Sequence, residues 1–183
     1  MKRSSLLLLL GPAWTPCPSV GAADADSVIA AYLEAMGGSA ALTKVHSRVV
    51  KGTERVSRLR QTRIDPILHR KQFFEKAEFA GDGQAQGKLC TKLVFTDAGG
   101  AKTAMYFDKE TNLLARTDTN VGGQTLQIDF SDYRKVGGIL APHKMIISLS
   151  RLSFEIVATS IEYNVAIPAA TFEIPPDNKT FMK

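Results

Sequence analysis

Three histidines and two cysteines are the residues of this 183-residue sequence best suited to metal binding or catalysis. His46, His69 and His143 lie far apart, and none stands in an HxH, HExxH or other paired spacing. A serine nucleophile would need a histidine base and an orienting acid, and the sequence has no GxSxG turn. The histidines therefore indicate structural or surface positions and predict no metal site.

The two cysteines also favour structural roles. Cys90 stands in the segment LCTKLVF, which is typical of a strand interior, where a small apolar thiol packs. Cys17 follows Trp14, Thr15 and Pro16 rather than the apolar and small residues that precede a lipid-modified cysteine. Cys90 would then be the single cysteine of the exported chain, so we expect no internal disulfide. A hydrolase that uses Cys90 or a histidine is kept as a competing hypothesis.

Acidic residues and glycine pairs are interpreted here as turn signals. Asp108 and Glu110 fall in the segment DKETN, where we expect a solvated hairpin tip rather than general acid–base catalysis. The Gly-Gly pairs that begin at positions 99, 122 and 137 lack the GxGxxG or GxxxxGK spacing that would bind phosphate. The sequence therefore predicts no cofactor.

The first residues have the pattern of a secretory signal. A positively charged start, MKR, precedes the apolar run LLLLL, and the small residues VGAA follow. We predict a signal peptide over residues 1–22, with cleavage after Ala22 or slightly later at Ala23 or Ala25, and a single domain over residues 23–183. No later segment approaches the roughly 20 apolar residues of a spanning helix. The sequence thus predicts a soluble, exported protein.

The net charge is only mildly positive once the two basic residues of the leader are removed. The remaining 21 basic and 18 acidic residues give about +3, which does not indicate a nucleic-acid-binding protein. The most basic segment runs over residues 51–71. It is typical of a solvated surface, and the alternative is a rim that meets acidic lipid head groups or an acidic partner protein.

Hydrophobic periodicity predicts helices first and strands afterwards. Apolar residues recur at helical spacing between a cap at Asp26 or Ser27 and the stop signal Gly37-Gly38, and a second short helix is expected over residues 39–45. From residue 47 the period changes to two, with GDGQ, AGGA and the later Gly-Gly pairs as turns. The stretch over residues 102–163 predicts an antiparallel β-meander with one apolar face. The predicted fold class is α+β, mainly antiparallel β.

Four segments after the leader form a recognisable combination. They are VIAAYLEAMGGSAALTKVHSRVVKGT, GKLCTKLVFTDAGGAKTAMYFDKETNLLARTDT, IDFSDYRKVGGILAPHKMII and IEYNVAIPAATFEIP. Together they resemble the LolA-like family of periplasmic lipoprotein-sorting and lipid-carrier proteins. The resemblance implies a LolA-like incomplete β-barrel, that is, a curved sheet with N-terminal helices packed on it and an apolar cavity inside.

The resemblance also implies a function without catalytic groups. The chain would be a periplasmic, non-enzymatic carrier or binding protein for lipoprotein acyl chains, lipid or another hydrophobic ligand, with envelope transport proteins as further partners. The meander offers apolar residues that could line the cavity: Met105, Phe107, Leu126, Ile128, Phe130, Met145 and Ile147. Each of them would equally suit a closed core.

One region departs from the LolA-like pattern. Between VVKGTERVS and DPILHRKQFF, related proteins carry several more strands and a Gly-Trp turn, which this sequence lacks. Either the barrel is reduced to a flatter sheet or the chain is a shortened gene product, and a missing wall would expose apolar surface. The competing function is an envelope structural or protein-interaction module that docks a partner through a sheet edge or the basic segment.

Overall fold

The computed structural model describes residues 24–53 and 67–166. In these ranges the chain forms helices α1 (Ala25–Ala35) and α2 (Ser39–Leu42), a 3-10 turn (Arg70–Gln72), and strands β1 (Arg48–Thr53), β2 (Lys76–Ala85), β3 (Lys88–Thr96), β4 (Lys102–Asp108), β5 (Leu114–Val121), β6 (Gln124–Val136), β7 (Ile139–Leu149) and β8 (Leu152–Tyr163). The predicted leader, with Cys17, and the segment ATFEIP near the carboxyl terminus lie outside the described residues.

The eight strands form one antiparallel sheet in the order β1-β8-β7-β6-β5-β4-β3-β2. Strands β2 to β8 follow one another along the chain, so each hairpin places a strand beside its predecessor. The first strand instead pairs with the last, with Val50 opposite Ile161. Within the described residues the sheet is curved and does not close. The predicted α+β class, with an incomplete barrel, is confirmed.

Helix α1 forms where the helical spacing predicts it, but its cap lies earlier than expected. Asp24 has an extended backbone, and its Oδ1 accepts a 2.7 Å hydrogen bond from the amide of Ser27. The expected cap at Asp26 or Ser27 is wrong, because both residues already lie inside the first turn. Helix α2 ends at Leu42, earlier than predicted. In the described ranges, neither helix has the length and apolar character needed to cross a membrane.

The glycine pair after α1 fixes the helix on the sheet. The carbonyl oxygen of Met36 accepts a 2.9 Å hydrogen bond from the amide of Leu140 in β7. Gly37 follows with φ +118°, and a Cβ placed there would lie 2.5 Å from the carbonyl oxygen of Gly138 in the β6–β7 turn. Because only a residue without a side chain allows this approach, the position of α1 depends on Gly37.

The β2–β3 hairpin turns later than predicted. The GDGQ segment, predicted as a turn, lies inside β2, where the pairing with β3 shifts register between Phe79 and Asp82. Gly81, with φ 85°, lies at this bulge. The chain reverses at Gln86 and Gly87, whose φ values of 52° and 78° suit a two-residue primed turn. The predicted turns at AGGA and at the two later Gly-Gly pairs are confirmed.

The main apolar core lies between the helices and strands β3, β4 and β5. Leu93 and Phe95 of β3 are fully buried, and Phe107 of β4 meets Tyr32 of α1 edge-on, with 5.4 Å between the ring centroids. The other buried members are Ile29, Met36, Leu42, Ile67, Met105, Leu114 and Ile139. We define the face of the sheet that carries the helices as the inner face and the opposite one as the outer face.

The acid that ends β4 is buried, so the prediction of a solvated hairpin tip is wrong for Asp108. This residue is 3% exposed; its Oδ2 accepts a 2.6 Å hydrogen bond from Nζ of Lys88, and its Oδ1 accepts one of 2.9 Å from the amide of Glu110. Burial raises the pKa of Asp108, but the hydrogen bonds from Lys88 and Glu110 outweigh it and hold the pKa below its ordinary value. Asp108 therefore stabilises the hairpin in its charged form.

Replacement of Gly37 tests the anchor of α1. Gly37→Ala should lower the free energy of unfolding by more than about 2 kcal/mol, because a left-handed backbone costs about 1–2 kcal/mol without glycine and the Cβ also meets the Gly138 carbonyl. Gly38→Ala is the control, since Gly38 also has a positive φ of 87° but its nearest contact is at 3.8 Å. Urea denaturation measures both. Equal losses would show that the contact with Gly138 is unimportant.

The lowered pKa of Asp108 predicts how stability depends on pH. A carboxyl whose pKa is lower in the folded state stabilises the fold above its unfolded pKa of about 4, and this contribution is lost as the pH falls through the folded value. Asp108→Asn should therefore be less stable than the parent protein at neutral pH by about 1–3 kcal/mol. The difference should shrink in strong acid. Urea denaturation at neutral and acidic pH measures it, and a difference that stays constant would contradict the role of Asp108.

Candidate functional site

The inner face over β6, β7, β8 and β1 carries an open apolar cavity of about 510 Å³, which we call the groove. Its volume falls within the roughly 300–1,000 Å³ typical of small-molecule sites. The groove is lined by Arg48, Val50, Lys51, Gly52, Leu126, Ile128, Met145, Ile147, Ile156 and Ala158. It therefore occupies the part of the inner face that lies beside the main core.

Strand alternation places the apolar side chains of the groove on one face. Residues two apart on a strand point the same way, so β6 contributes Leu126 and Ile128 while β7 contributes Met145 and Ile147. Ile128 lies directly opposite Ile147, and Met145 lies opposite Ile156 of β8. These cross-strand pairs form a continuous apolar strip over three strands.

A bulge in β8 shapes the wall that β1 and β8 build together. The register between the two strands shifts once, which leaves Thr159 as an extra residue. As a result Ala158 and Ile161 both face inward although they are three positions apart. Gly52 lies opposite Ala158, and a Cβ at Gly52 would lie 2.3 Å from a carbonyl oxygen of β8. This close approach of β1 to β8 requires glycine.

A smaller cavity of about 270 Å³ continues from the groove towards the helices. Tyr32, Met36 and Ile67 line it on the helix side. The residues that line both spaces are Arg48, Val50, Ile128, Met145 and Ala158. The groove and the smaller cavity thus lie side by side along the inner face, and the smaller one reaches under α1.

The seven predicted lining residues divide among the groove, the smaller cavity and the core. The groove receives Leu126, Ile128, Met145 and Ile147. Met105 and Phe130 line the smaller cavity, together with Ile128 and Met145. Phe107 lines neither space; it is 2% exposed and packs against Tyr32.

The β1 and β8 side of the groove was not predicted. The alternation in SRVVKGT and LSFEIVATS indicates that Val50, Ile156 and Ala158 each lie on the same face of their strand as the residues two positions away. The sequence did not show that β1 pairs with β8. It also did not show that a bulge at Thr159 changes which residues of β8 face inward. Arg48 was not predicted either, because it lies before the predicted basic segment, which begins at residue 51.

The residues considered for catalysis do not line the groove. His46 and His69 are exposed, while His143 is 5% exposed with its Nδ1 3.0 Å from the carbonyl oxygen of Ala141. Cys90 is fully buried, and burial raises the pKa of its thiol, which disfavours the nucleophilic thiolate. Across residues 24–53 and 67–166, no three His, Cys, Asp or Glu side chains are grouped to hold a metal ion.

Truncation of one core residue and one groove residue should separate their roles. Phe107→Ala should cost about 3–5 kcal/mol of folding free energy, as for a fully buried aromatic side chain. Ile147→Ala should cost less than about 2 kcal/mol, because Ile147 is only half-buried. Urea denaturation of both variants measures the difference. A loss for Ile147→Ala as large as that for Phe107→Ala would show that Ile147 belongs to the core.

Comparison with known proteins finds similar structures at low sequence identity. No protein-family model and no curated protein matches the sequence. The chain is similar to the crystal structure of a DUF1329 family protein from Desulfovibrio piger, with a TM-score of 0.48 and 20% identity over 68% of this chain. It is also similar to an outer membrane lipoprotein-sorting protein domain from Vibrio parahaemolyticus, with a TM-score of 0.42 and 15% identity over 56% of this chain. The chain spans 57% and 46% of the lengths of those two structures.

Proposed function

We propose that this protein is a non-enzymatic carrier or binding protein that holds a hydrophobic ligand, an acyl chain of a lipid or lipoprotein, in the groove. The observation that carries the proposal is the open apolar cavity of about 510 Å³ on the inner face. In this assignment the acyl chain lies directly against four side chains: Leu126, Ile128, Met145 and Ile147. Met105 and Phe130 extend the lining under the helix, and Phe107 supports it from the core.

A carrier needs apolar area rather than reactive groups. Removal of an acyl chain from a membrane costs about 0.8 kcal/mol for each methylene group. Met145 and Ile147 are half-buried, so a chain lying over them would remove their remaining contact with water and offset that cost. The flexible thioether of Met145 can also adapt to chains of different shape.

Apolar residues at the rim of the groove support the same function. Val50 is 45% exposed, and Phe154, opposite Ile147 on the neighbouring strand, is 41% exposed. Each of these two side chains adjoins the apolar lining, and exposed apolar surface beside a cavity commonly marks a site for a ligand, a membrane or a partner. A bound acyl chain would cover this surface.

The proposed location is the periplasm. The signal-like pattern of residues 1–22 supports export. An aqueous compartment between two membranes is where an acyl chain needs a protein to shield it from water. The proposed partners are therefore lipids or lipoproteins, together with envelope transport proteins that deliver or receive them.

The edge of the sheet favours a second candidate, an envelope interaction module without a small-molecule ligand. Strand β2 is the last strand of the sheet order, and no described strand pairs with its free edge. Phe79 and Leu89 in this β2–β3 hairpin are 40% and 63% exposed. Such an edge can accept a strand from a partner, although the bulge at Gly81 interrupts it.

Native mass spectrometry of the exported protein, followed by lipid extraction of the same sample, tests the proposal directly. The carrier should retain a stoichiometric acyl-chain ligand or take one up from phospholipid or an acylated peptide. A ligand-free mass that stays unchanged after both incubations would contradict the carrier function and leave the interaction module as the better account.

A polar substitution in the groove should weaken binding of the hydrophobic ligand while the net charge of the protein stays the same. Met145→Gln is nearly isosteric and should weaken binding of 1-hexadecanol by about tenfold, because part of the apolar contact is lost. Lys144→Gln is the matched control, since its side chain lies on the outer face with Nζ 2.8 Å from a carboxylate oxygen of Glu155. Titration calorimetry measures both. Equal effects of the two variants would place the ligand elsewhere.

A further inference from the structure

We propose that Arg48 binds the anionic head group of the ligand, so that the groove takes a long-chain carboxylate in preference to an uncharged lipid. This inference rests on the proposed function, because it names the class of ligand for the same groove. It adds a charged contact to a site described so far by its apolar lining.

The position of Arg48 is the first observation. It is the first residue of β1, and strand alternation places it on the same face as Val50, two residues later. Arg48 lines both the groove and the smaller cavity. It therefore stands where the two spaces meet, within reach of a head group whose chain lies in either of them.

The second observation is that the charged residues described in the lining are all positive. Among the described residues, those that line the two cavities include no aspartate or glutamate. Lys51 is the other cationic residue there, but alternation turns its side chain towards the outer face, where its Nζ lies 3.9 Å from a carboxylate oxygen of Glu162. The side chain of Arg48 is thus the charged group that this apolar surface offers to a ligand.

The third observation is that Arg48 has no acidic partner among the described residues. The neighbouring acid of β8, Glu162, pairs with Lys51 instead. Arg48 is exposed, so its guanidinium group can be reached from solvent. A cation beside apolar surface and without a protein counter-ion is complementary to an amphiphile with a negative head.

The chemistry of the guanidinium group favours a carboxylate head. Its planar fork of N–H donors matches the two oxygens of a carboxylate, and it stays protonated at any working pH. The methylene stem of the arginine can lie along the apolar lining while the charged end holds the head group. One arginine balances one negative charge, and the head group of a fatty carboxylate carries one such charge.

Calorimetric titration of the exported protein with palmitate and with 1-hexadecanol tests the inference. The two probes have the same chain length and differ in the charge of the head. Arg48→Gln should weaken palmitate binding by about tenfold or more, as expected for loss of a charge-assisted hydrogen bond, while 1-hexadecanol binding should stay within about twofold. Lys144→Gln is the matched control, because this cation lies on the outer face with its Nζ 2.8 Å from a carboxylate oxygen of Glu155, and it should change neither affinity.

Each other outcome has a definite meaning. Equal weakening of both probes by Arg48→Gln would overturn the inference, because the arginine would then act only through packing. Equal affinity of the parent protein for both probes would overturn it as well, while leaving the carrier function intact. If the parent protein binds neither probe, the carrier function itself fails. A palmitoyl lysophosphatidate that depends on Arg48 more strongly than palmitate does would replace the carboxylate by a phosphate head.

Discussion

The structure depends on a difference in size between the apolar face of the sheet and the helices that the described residues form to cover it. Eight strands at a spacing of about 4.8 Å give a sheet roughly 34 Å across. Helix α1 has 11 residues and, at about 1.5 Å for each, is only about 16 Å long. The hydrogen bond between Met36 and Leu140 holds its carboxyl end at the start of β7. Among the described residues, the helix covers one part of the inner face and leaves another part uncovered.

This partial cover divides one apolar face into two regions with different roles. Under α1, Phe107 and Tyr32 pack edge to face, and Leu93 and Phe95 are fully buried, which gives the fold its stable core. On β6 and β7, residues of the same type and the same alternation, such as Ile147, keep partial contact with water. The core packs against the strands, and the same sheet presents the side chains that line the groove.

The charged residues follow the same division between the faces of the sheet. On the outer face Arg116 and Asp129 lie opposite each other and are joined by a 2.7 Å hydrogen bond, and Gln127 donates to the same carboxylate. Lys51 belongs to this face and pairs with Glu162, at 3.9 Å. Arg48, on the inner face, has no such partner in the part of the chain that the structure describes. Strand β1 thus carries two cations. Lys51 has a partner in the protein, and Arg48 has no acidic partner among the described residues.

The sequence by itself determined the local elements and the alternation of faces. A 3.6-residue period gave α1, a two-residue period gave the meander, and three of the four predicted glycine turns are where the chain reverses, because these patterns depend on near neighbours. Tertiary structure decided which apolar residues are core and which line the groove. Phe107 and Ile147 follow the same alternation, and only the position of α1 over β4 separates them. The pairing of β1 with β8 and the bulge at Thr159 also join residues far apart in the sequence, so no local pattern could place Arg48 and Met145 in the lining of one groove.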